Sequence, residues 1–223
     1  MTSLLSRPYM RVGLPKIDLS GCVFYAPLWR PDMGGTTFYS KDTYNHLCTP
    51  TNATWGSDGR TTAGTGYIRC GTNSVLDWVF PFTLIFYGRN DGGVAHQVIL
   101  SRLGITVNYS GFFWSINNNA QYVIFGDGTT AIDRAFAGTV SANKTHLALV
   151  CTATSIISYI NGVATETYVN AQAVTTVAAQ QFTLMARSDD LGNKSTGLQK
   201  VIMKYNRALT PAEVMNNYLA IKN

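Results

Sequence analysis

Side chains able to do covalent or proton-transfer chemistry are few in this chain and poorly placed for it. There are only two glutamates, Glu166 and Glu213. Hydrolysis of a glycosidic bond by the retaining route needs two carboxyl groups about 5 Å apart, one attacking and one donating a proton. Glu213 follows Thr210 at the spacing of a helix capping box, which employs it already, and Glu166 stands alone behind a hairpin signal. No two aspartates alternate along a strand-like run. The three histidines, His46, His96 and His146, have no serine elbow or acidic partner nearby in sequence, and His96 and His146 fall in strand-like runs where they read as structural. No enzyme is expected. What the chain does offer is recognition chemistry. A sugar ring is held by a flat aromatic face with amide and carboxylate groups around it, and Trp114, Asn117, Asn118, Asn119 and Tyr122 make the best local cluster of that kind. The competing reading of the same stretch is a core tryptophan followed by an ordinary asparagine turn.

The four cysteines, Cys22, Cys48, Cys70 and Cys151, form no C-x-x-C pair and are too widely spaced for a zinc site. Cys22 and Cys151 sit in apolar strand-like runs, as buried free thiols do. Cys48 and Cys70 lie in loop-rich sequence, where a bridge between them and two free thiols are both open.

Composition narrows the class further. Of 223 residues, 46% are apolar and only 13% charged, about half the usual charged share. That excludes a disordered chain and leaves the surface to Thr, Ser, Asn, Gln and Gly. The net charge of +5 is unevenly spread: Arg7, Arg11 and Lys16 stand in the first 17 residues with no acid among them. Residues 1–17 therefore read as a basic assembly arm for an acidic partner, or as an ordinary chain end. Elsewhere the basic residues are scattered, and no specific nucleic-acid face is expected. Residues 1–8 lack the apolar core of a secretory signal, and no run approaches a membrane span. The expected location is a virion or an extracellular surface reached without secretion.

The elements that must position these groups are strands. Apolar runs at 21–29, 67–70, 82–88, 94–102, 105–108, 112–117, 121–125, 146–151, 156–160, 163–168, 181–187 and 198–205 are separated by Gly- and Asn-containing turns. Residues 30–65 read as loops with short edge strands at 38–39 and 53–55. The run at 82–88 is apolar on both faces and should be central. Asn161-Gly162 between two strand-like runs predicts a type I′ hairpin. In 198–205, Val201, Met203 and Tyr205 offer an apolar face, and Thr210-Pro-Ala-Glu213 then starts a short helix with Val214, Tyr218 and Ile221 on one stripe.

Several of these segments, in this order, resemble the laminin-G-like branch of the concanavalin A-like lectin and glucanase superfamily. They are Val23-Phe-Tyr-Ala-Pro-Leu28, Ala53-Thr-Trp-Gly-Ser-Asp-Gly-Arg60 with Gly66-Tyr-Ile68, and Phe82-Thr-Leu-Ile-Phe-Tyr87. Ser158-Tyr-Ile-Asn-Gly162 follows, and Lys204-Tyr-Asn-Arg-Ala-Leu-Thr-Pro-Ala-Glu-Val214 is the closest match. The family's usual Trp at the start of its later strand is His146 here. The resemblance implies an all-β fold: a concanavalin A-like jelly-roll sandwich of two antiparallel sheets with one short C-terminal helix, over residues 18–223 behind the arm. It also brings calcium as the family's common ion, with Asp91, Asp127, Asp189 and Asp190 as candidate ligands. These aspartates lie in or near turn sequence, where an Asp serves the turn itself, and no cofactor is expected. Hydrolases of this superfamily often carry Glu-x-Asp-x-x-Glu on one strand, and this chain has no such motif. The expected function is a non-catalytic surface or particle structural protein, a virion decoration or fibre-type component with glycan adhesion. Its partners would be copies of itself or other particle and surface proteins. The alternatives are a free-standing lectin-like module and, more distantly, a glycoside hydrolase.

Overall fold

Short apolar runs broken by Gly, Asn and Pro turns fold into sixteen strands and one α-helix in the described residues of the computed structural model, which are 16–92, 96–104, 109–169, 172–175, 178–189, 191 and 193–222. Arg7 and Arg11 of the basic arm, Asp190, and the strand expected at 105–108 lie outside the described residues. In chain order the first strands are β1 Cys22–Pro27, β2 Phe38–Tyr39, β3 Leu47–Thr51, β4 Thr54–Gly56, β5 Gly59–Ala63 and β6 Tyr67–Arg69. The middle of the chain supplies β7 Phe82–Asn90, β8 His96–Gly104, β9 Ser110–Asn117, β10 Ala120–Asp127 and β11 Ala131–Ala135. Then come β12 Thr145–Cys151, β13 Ser155–Ile160, β14 Val163–Val169, β15 Thr183–Leu184, β16 Thr196–Tyr205 and α1 Pro211–Lys222.

All pairings are antiparallel and make two sheets. One runs β14-β13-β12-β7-β16-β5-β4, with β1 also on β16; the other runs β11-β10-β9-β8-β15-β6-β3-β2. The two face each other across one apolar layer. Phe24, Leu84, Phe86, Leu147, Leu149 and Ile202 come from the first sheet, and Leu100, Phe112, Trp114, Ile116, Val123 and Phe125 from the second. β7 is buried on both faces, as its sequence predicts. Its alternate residues Ile85 and Tyr87 join Val201, Met203 and Tyr205 in a second cluster on the outer side of the first sheet. Val214 and Ile221 of α1 pack on that cluster, so the strand-turn-helix read from residues 198–218 closes against the sandwich. Asn217, rather than Tyr218, is the third buried position of the helix; its amide donates to the Tyr205 hydroxyl at 3.3 Å.

Local signals account for the helix start and the hairpin beneath it. The Thr210 N–H donates to Glu213 Oε2 at 2.7 Å, and the Glu213 N–H donates to Thr210 Oγ1 at 3.3 Å, a closed capping box. Asn161 and Gly162 take φ of 50° and 80°, the two positive values a type I′ turn demands. A Cβ on Gly162 would also lie 2.9 Å from Met215 Sδ of α1. The start of the described chain is tied to the same helix: the Lys16 carbonyl accepts from the Asn216 amide at 2.8 Å, and Ile17 packs on the outer cluster.

The edge strands are the part the sequence hides. Residues 30–65 hold β2 to β5 rather than two short strands, and β11 was not expected at all. β3 and β5 are rich in Thr, Gly and Pro, and β11 is a short, partly exposed Ala-Ile-Asp-Arg-Ala run, so none carries a clear period-two apolar signal. The run at 181–187 forms only the two-residue β15.

Candidate functional site

Alternation along β8, β9 and β10 turns a second set of side chains away from the core. Phe113 and Ser115 face outward on β9 and Tyr122 and Ile124 on β10, in the registers Phe113–Ile124 and Ser115–Tyr122. Val98 and Leu103 of β8 complete a small apolar cluster with Phe113, against which Tyr109, Tyr122 and Ile124 pack. The irregular register between Val98 and Leu100 lets Ile99 and Leu100 both enter the inner core.

Over this cluster lies a cleft of about 180 Å³. Leu103, Phe113 and Ile124 form its apolar floor; Tyr109 and Tyr122 are its aromatic walls; His96, Asp133, Arg187 and Asn193 supply polar groups. Asp133 sits on β11 opposite Ile124, and its carboxylate accepts the Tyr122 hydroxyl proton in a short hydrogen bond. Burial and that bond hold the Tyr122 phenol well above its ordinary pKa, so it remains a neutral donor group. The His96 ring lies 4.7 Å from the Tyr122 ring, with Nδ1 3.4 Å from Ser115 Oγ. Burial lowers its pKa, against the pull of Asp133, which favours the neutral imidazole able to donate or accept. Arg187 is aimed by Asp189 at 2.7 Å, and its segment is pinned to β8 by Ser188, whose Oγ accepts the Leu103 N–H at 2.6 Å and donates to the Leu103 carbonyl at 2.9 Å.

The sequence cluster divides on this geometry. Tyr122 is in the cleft. Asn117 ends β9 in register with His96, and by alternation shares the outward face of Phe113 and Ser115; its Oδ1 is buried without a hydrogen-bond partner. Asn118 and Asn119, at φ of 48° and 61°, form the exposed turn between β9 and β10. Trp114 corrects the expectation: it is 0% exposed and points into the core between the sheets, so its face cannot serve as a sugar platform. The residues the sequence did not single out are Tyr109, Asp133 and Arg187; His96, which reads as structural in the sequence, also lines the cleft.

The other candidates are engaged elsewhere. Asp91 pairs with Arg89 at 2.5 Å, and Asp189 with Arg187. Asp127 accepts from Thr129 Oγ1 at 2.6 Å and from the Thr129 and Thr130 N–H groups, and these bonds pull its pKa to about 2. Among the described residues no group of three His, Cys, Asp or Glu side chains gathers as a metal site. Glu166 accepts from the Arg134 guanidinium and the Ala137 N–H, and Glu213 from the helix cap. His46 does have an acidic neighbour, Asp42 at 3.7 Å, with its Nε2 2.9 Å from the Val23 carbonyl, all of it buried. Among the described residues lining the cleft, Asp133 is the single carboxylate. The arrangement of two tyrosines, one carboxylate, one guanidinium, an amide and a neutral imidazole over an apolar floor suits a flat, hydroxyl-rich ring. No helix of the described residues is long and apolar enough to cross a membrane.

Comparison with known proteins adds the following. Residues 62–215 match the family model of the concanavalin A-like lectin/glucanases superfamily. Comparison with curated proteins returns no match. Among solved structures, domain 4 of AbnA, a GH43 extracellular arabinanase from Geobacillus stearothermophilus in complex with arabinotriose, superposes with a TM-score of 0.65 at 21% identity, covering 89% of this chain and 98% of that one. A mutant Trypanosoma rangeli sialidase displaying trans-sialidase activity gives a TM-score of 0.67 at 16% identity over 92% of this chain, which spans only 33% of the sialidase. The binding domain of Paraclostridial Mosquitocidal Protein 1 gives 0.64 at 15% identity, over 89% of this chain and 52% of that one. At these identities the likeness is one of fold.

Proposed function

The chain belongs to the concanavalin A-like lectin/glucanases superfamily, and from that premise we propose that it is a non-catalytic carbohydrate-binding domain that holds a sugar ring in the Tyr122–Asp133 cleft. The observation that carries this reading is the pairing of two tyrosine walls with Asp133, Arg187 and Asn193 over the Phe113 floor. Aromatic faces take the apolar side of a sugar, and charged hydrogen-bonders take its hydroxyls. The lone carboxylate supports binding over hydrolysis by the two-carboxylate route. A domain-sized fold relative in complex with arabinotriose is in keeping with it. The test is a glycan array followed by calorimetry on the best ligand. Tyr122→Ala and Asp133→Ala are each expected to weaken binding about tenfold or more, the loss of one good contact to a charged or aromatic group. No bound glycan, or affinity unchanged in both variants, overturns the proposal; turnover of a bound glycan overturns its non-catalytic part.

For the setting of this domain we favour a surface or particle structural component, of the virion decoration or fibre type, that associates with copies of itself. The supporting observation is β14, a seven-residue sheet-edge strand with Val163 59% and Val169 78% exposed. An open edge with apolar side chains is a template for pairing with another chain. The basic residues Arg7, Arg11 and Lys16 would add contacts with an acidic neighbour. Size-exclusion chromatography with light scattering is expected to show an oligomer that Val169→Lys or removal of residues 1–15 shifts toward monomer. A monomer indifferent to both changes defeats this part.

A further inference from the structure

Two of the four thiols face each other across the second sheet. β3 pairs with β6 in the registers Thr49–Arg69, Pro50–Ile68 and Thr51–Tyr67. One step further along the ladder, Cys48 stands opposite Cys70. In an antiparallel pair, opposed residues alternate between hydrogen-bonded and non-hydrogen-bonded positions. The Cys70 N–H donates to the Phe182 carbonyl at 2.8 Å, on the β15 side of β6 and so away from β3. Cys48 and Cys70 therefore form a non-hydrogen-bonded pair, where Cα atoms approach to about 4.5 Å. A disulfide spans about 4.4–6.8 Å between Cα atoms. Both side chains point into the same core; the Cys48 thiol donates to the His46 carbonyl at 3.6 Å and stands near enough to Cys70 to help raise its pKa. Cys22 and Cys151 are elsewhere: Cys22 lies in the outer cluster of the first sheet with its thiol on the Phe24 carbonyl, and Cys151 ends β12. All four are free and buried.

We propose that Cys48 and Cys70 are a redox-modification site, a latent cross-strand disulfide that closes when the chain meets a disulfide oxidant such as oxidised glutathione. One protein thiolate attacks the glutathione disulfide, forms a mixed disulfide and releases one glutathione thiolate. The second protein thiolate attacks the protein sulfur of that mixed disulfide and releases the other. The protein loses two protons and two electrons, and one oxidised glutathione becomes two reduced ones. Burial pushes the Cys70 thiol well up, so the folded protein reacts slowly and closure belongs to folding, while β3 and β6 are still exposed. The bond would staple β3 to the end of β6 near the β2 edge of the sandwich, closing the β4–β5 hairpin within its loop.

The test is refolding of the full chain from urea in a reduced and oxidised glutathione buffer, followed by intact mass and unreduced peptide mapping. The expected result is loss of two hydrogens in mass, one linked peptide pair joining Cys48 to Cys70, and two remaining alkylatable thiols at Cys22 and Cys151. The midpoint of thermal unfolding is expected to rise by roughly 5–10 °C over the reduced protein, because the closed loop removes entropy from the unfolded chain. Cys48→Ser and Cys70→Ser should each abolish the mass loss, and Cys22→Ser should not. Thiol accounting on the unsubstituted chain decides the matter even if a variant fails to fold. Four alkylatable thiols after oxidative refolding, a bond to Cys22 or Cys151, or a Cys48–Cys70 bond that lowers the unfolding midpoint each overturn the proposal.

Discussion

Lowering the pH from 7 to 4 is expected to cost the fold about 3 kcal/mol through His146 alone. The residue lies near the start of β12, opposite Tyr87 and under α1, with its ring 5.5 Å from that of Tyr218. It is 0% exposed, and neither ring nitrogen has a hydrogen-bond partner. Burial is the sole cause of a fall in its pKa from 6.5 to about 3. The sign follows from where the proton goes. In the folded state the imidazole is neutral down to about pH 3, whereas the unfolded chain takes up a proton below 6.5. The unfolded state therefore binds the extra proton between those two values, and stability that is fully present above 6.5 is lost as pH falls toward 3, with no further loss below. His146→Phe removes the titration and two unpartnered polar atoms together. Urea denaturation of both proteins at pH 7 and pH 4 is the measurement. The variant should match or exceed the parent at pH 7 and exceed it by about 3 kcal/mol more at pH 4. Aspartates and glutamates with lowered pKa values, such as Asp127 and Glu213, add acid sensitivity of the same sign, but equally in both proteins. Equal pH slopes for the two would show that water or another group reaches the ring.

The parts of this fold that could be read from residues are those fixed by neighbours in sequence. The Thr210–Glu213 box and the Asn161-Gly162 turn are complete within a few residues, and both form as expected. The central place of β7 was legible because a strand covered on both faces has no polar alternation. The same fact made the site illegible. All but the last residue of β9 are buried, so nothing in Phe112-Phe-Trp-Ser-Ile116 says which parity faces the other sheet, and the larger ring at Trp114 drew the assignment to the wrong side. Asp133 was out of reach because β11 has no apolar period to announce it as a strand. Arg187 enters through a long-range tether, the Ser188 hydroxyl on Leu103, which no local pattern encodes. Tyr122 alone could be found, because Val123 and Phe125 alternate with it and are buried while it is not fully so. The fold is a sum of local choices here, and the site is a product of register.

Trp114 separates those two levels by experiment. Its ring is fully enclosed between the sheets, with Val123 and Leu100 as its register partners on β10 and β8. Trp114→Ala should cost about 3–5 kcal/mol, the transfer term of a large ring plus the cavity it leaves. Trp114→Phe should behave quite differently. Trp114 Nε1 is buried with no hydrogen-bond partner, so the parent already carries the penalty of an orphaned donor. Phenylalanine gives up some packed volume but removes that donor, and the two effects oppose each other; a net change within about 1 kcal/mol is expected. Chemical denaturation reads both values. Calorimetry with whatever glycan the parent binds then supplies the second axis: Trp114→Phe should keep the affinity that Tyr122→Ala loses. A Trp114→Ala protein as stable as the parent would mean the ring is not core. A Trp114→Phe protein that folds normally but no longer binds would return the sugar platform to the inner face, and the Tyr122–Asp133 cleft would lose its claim.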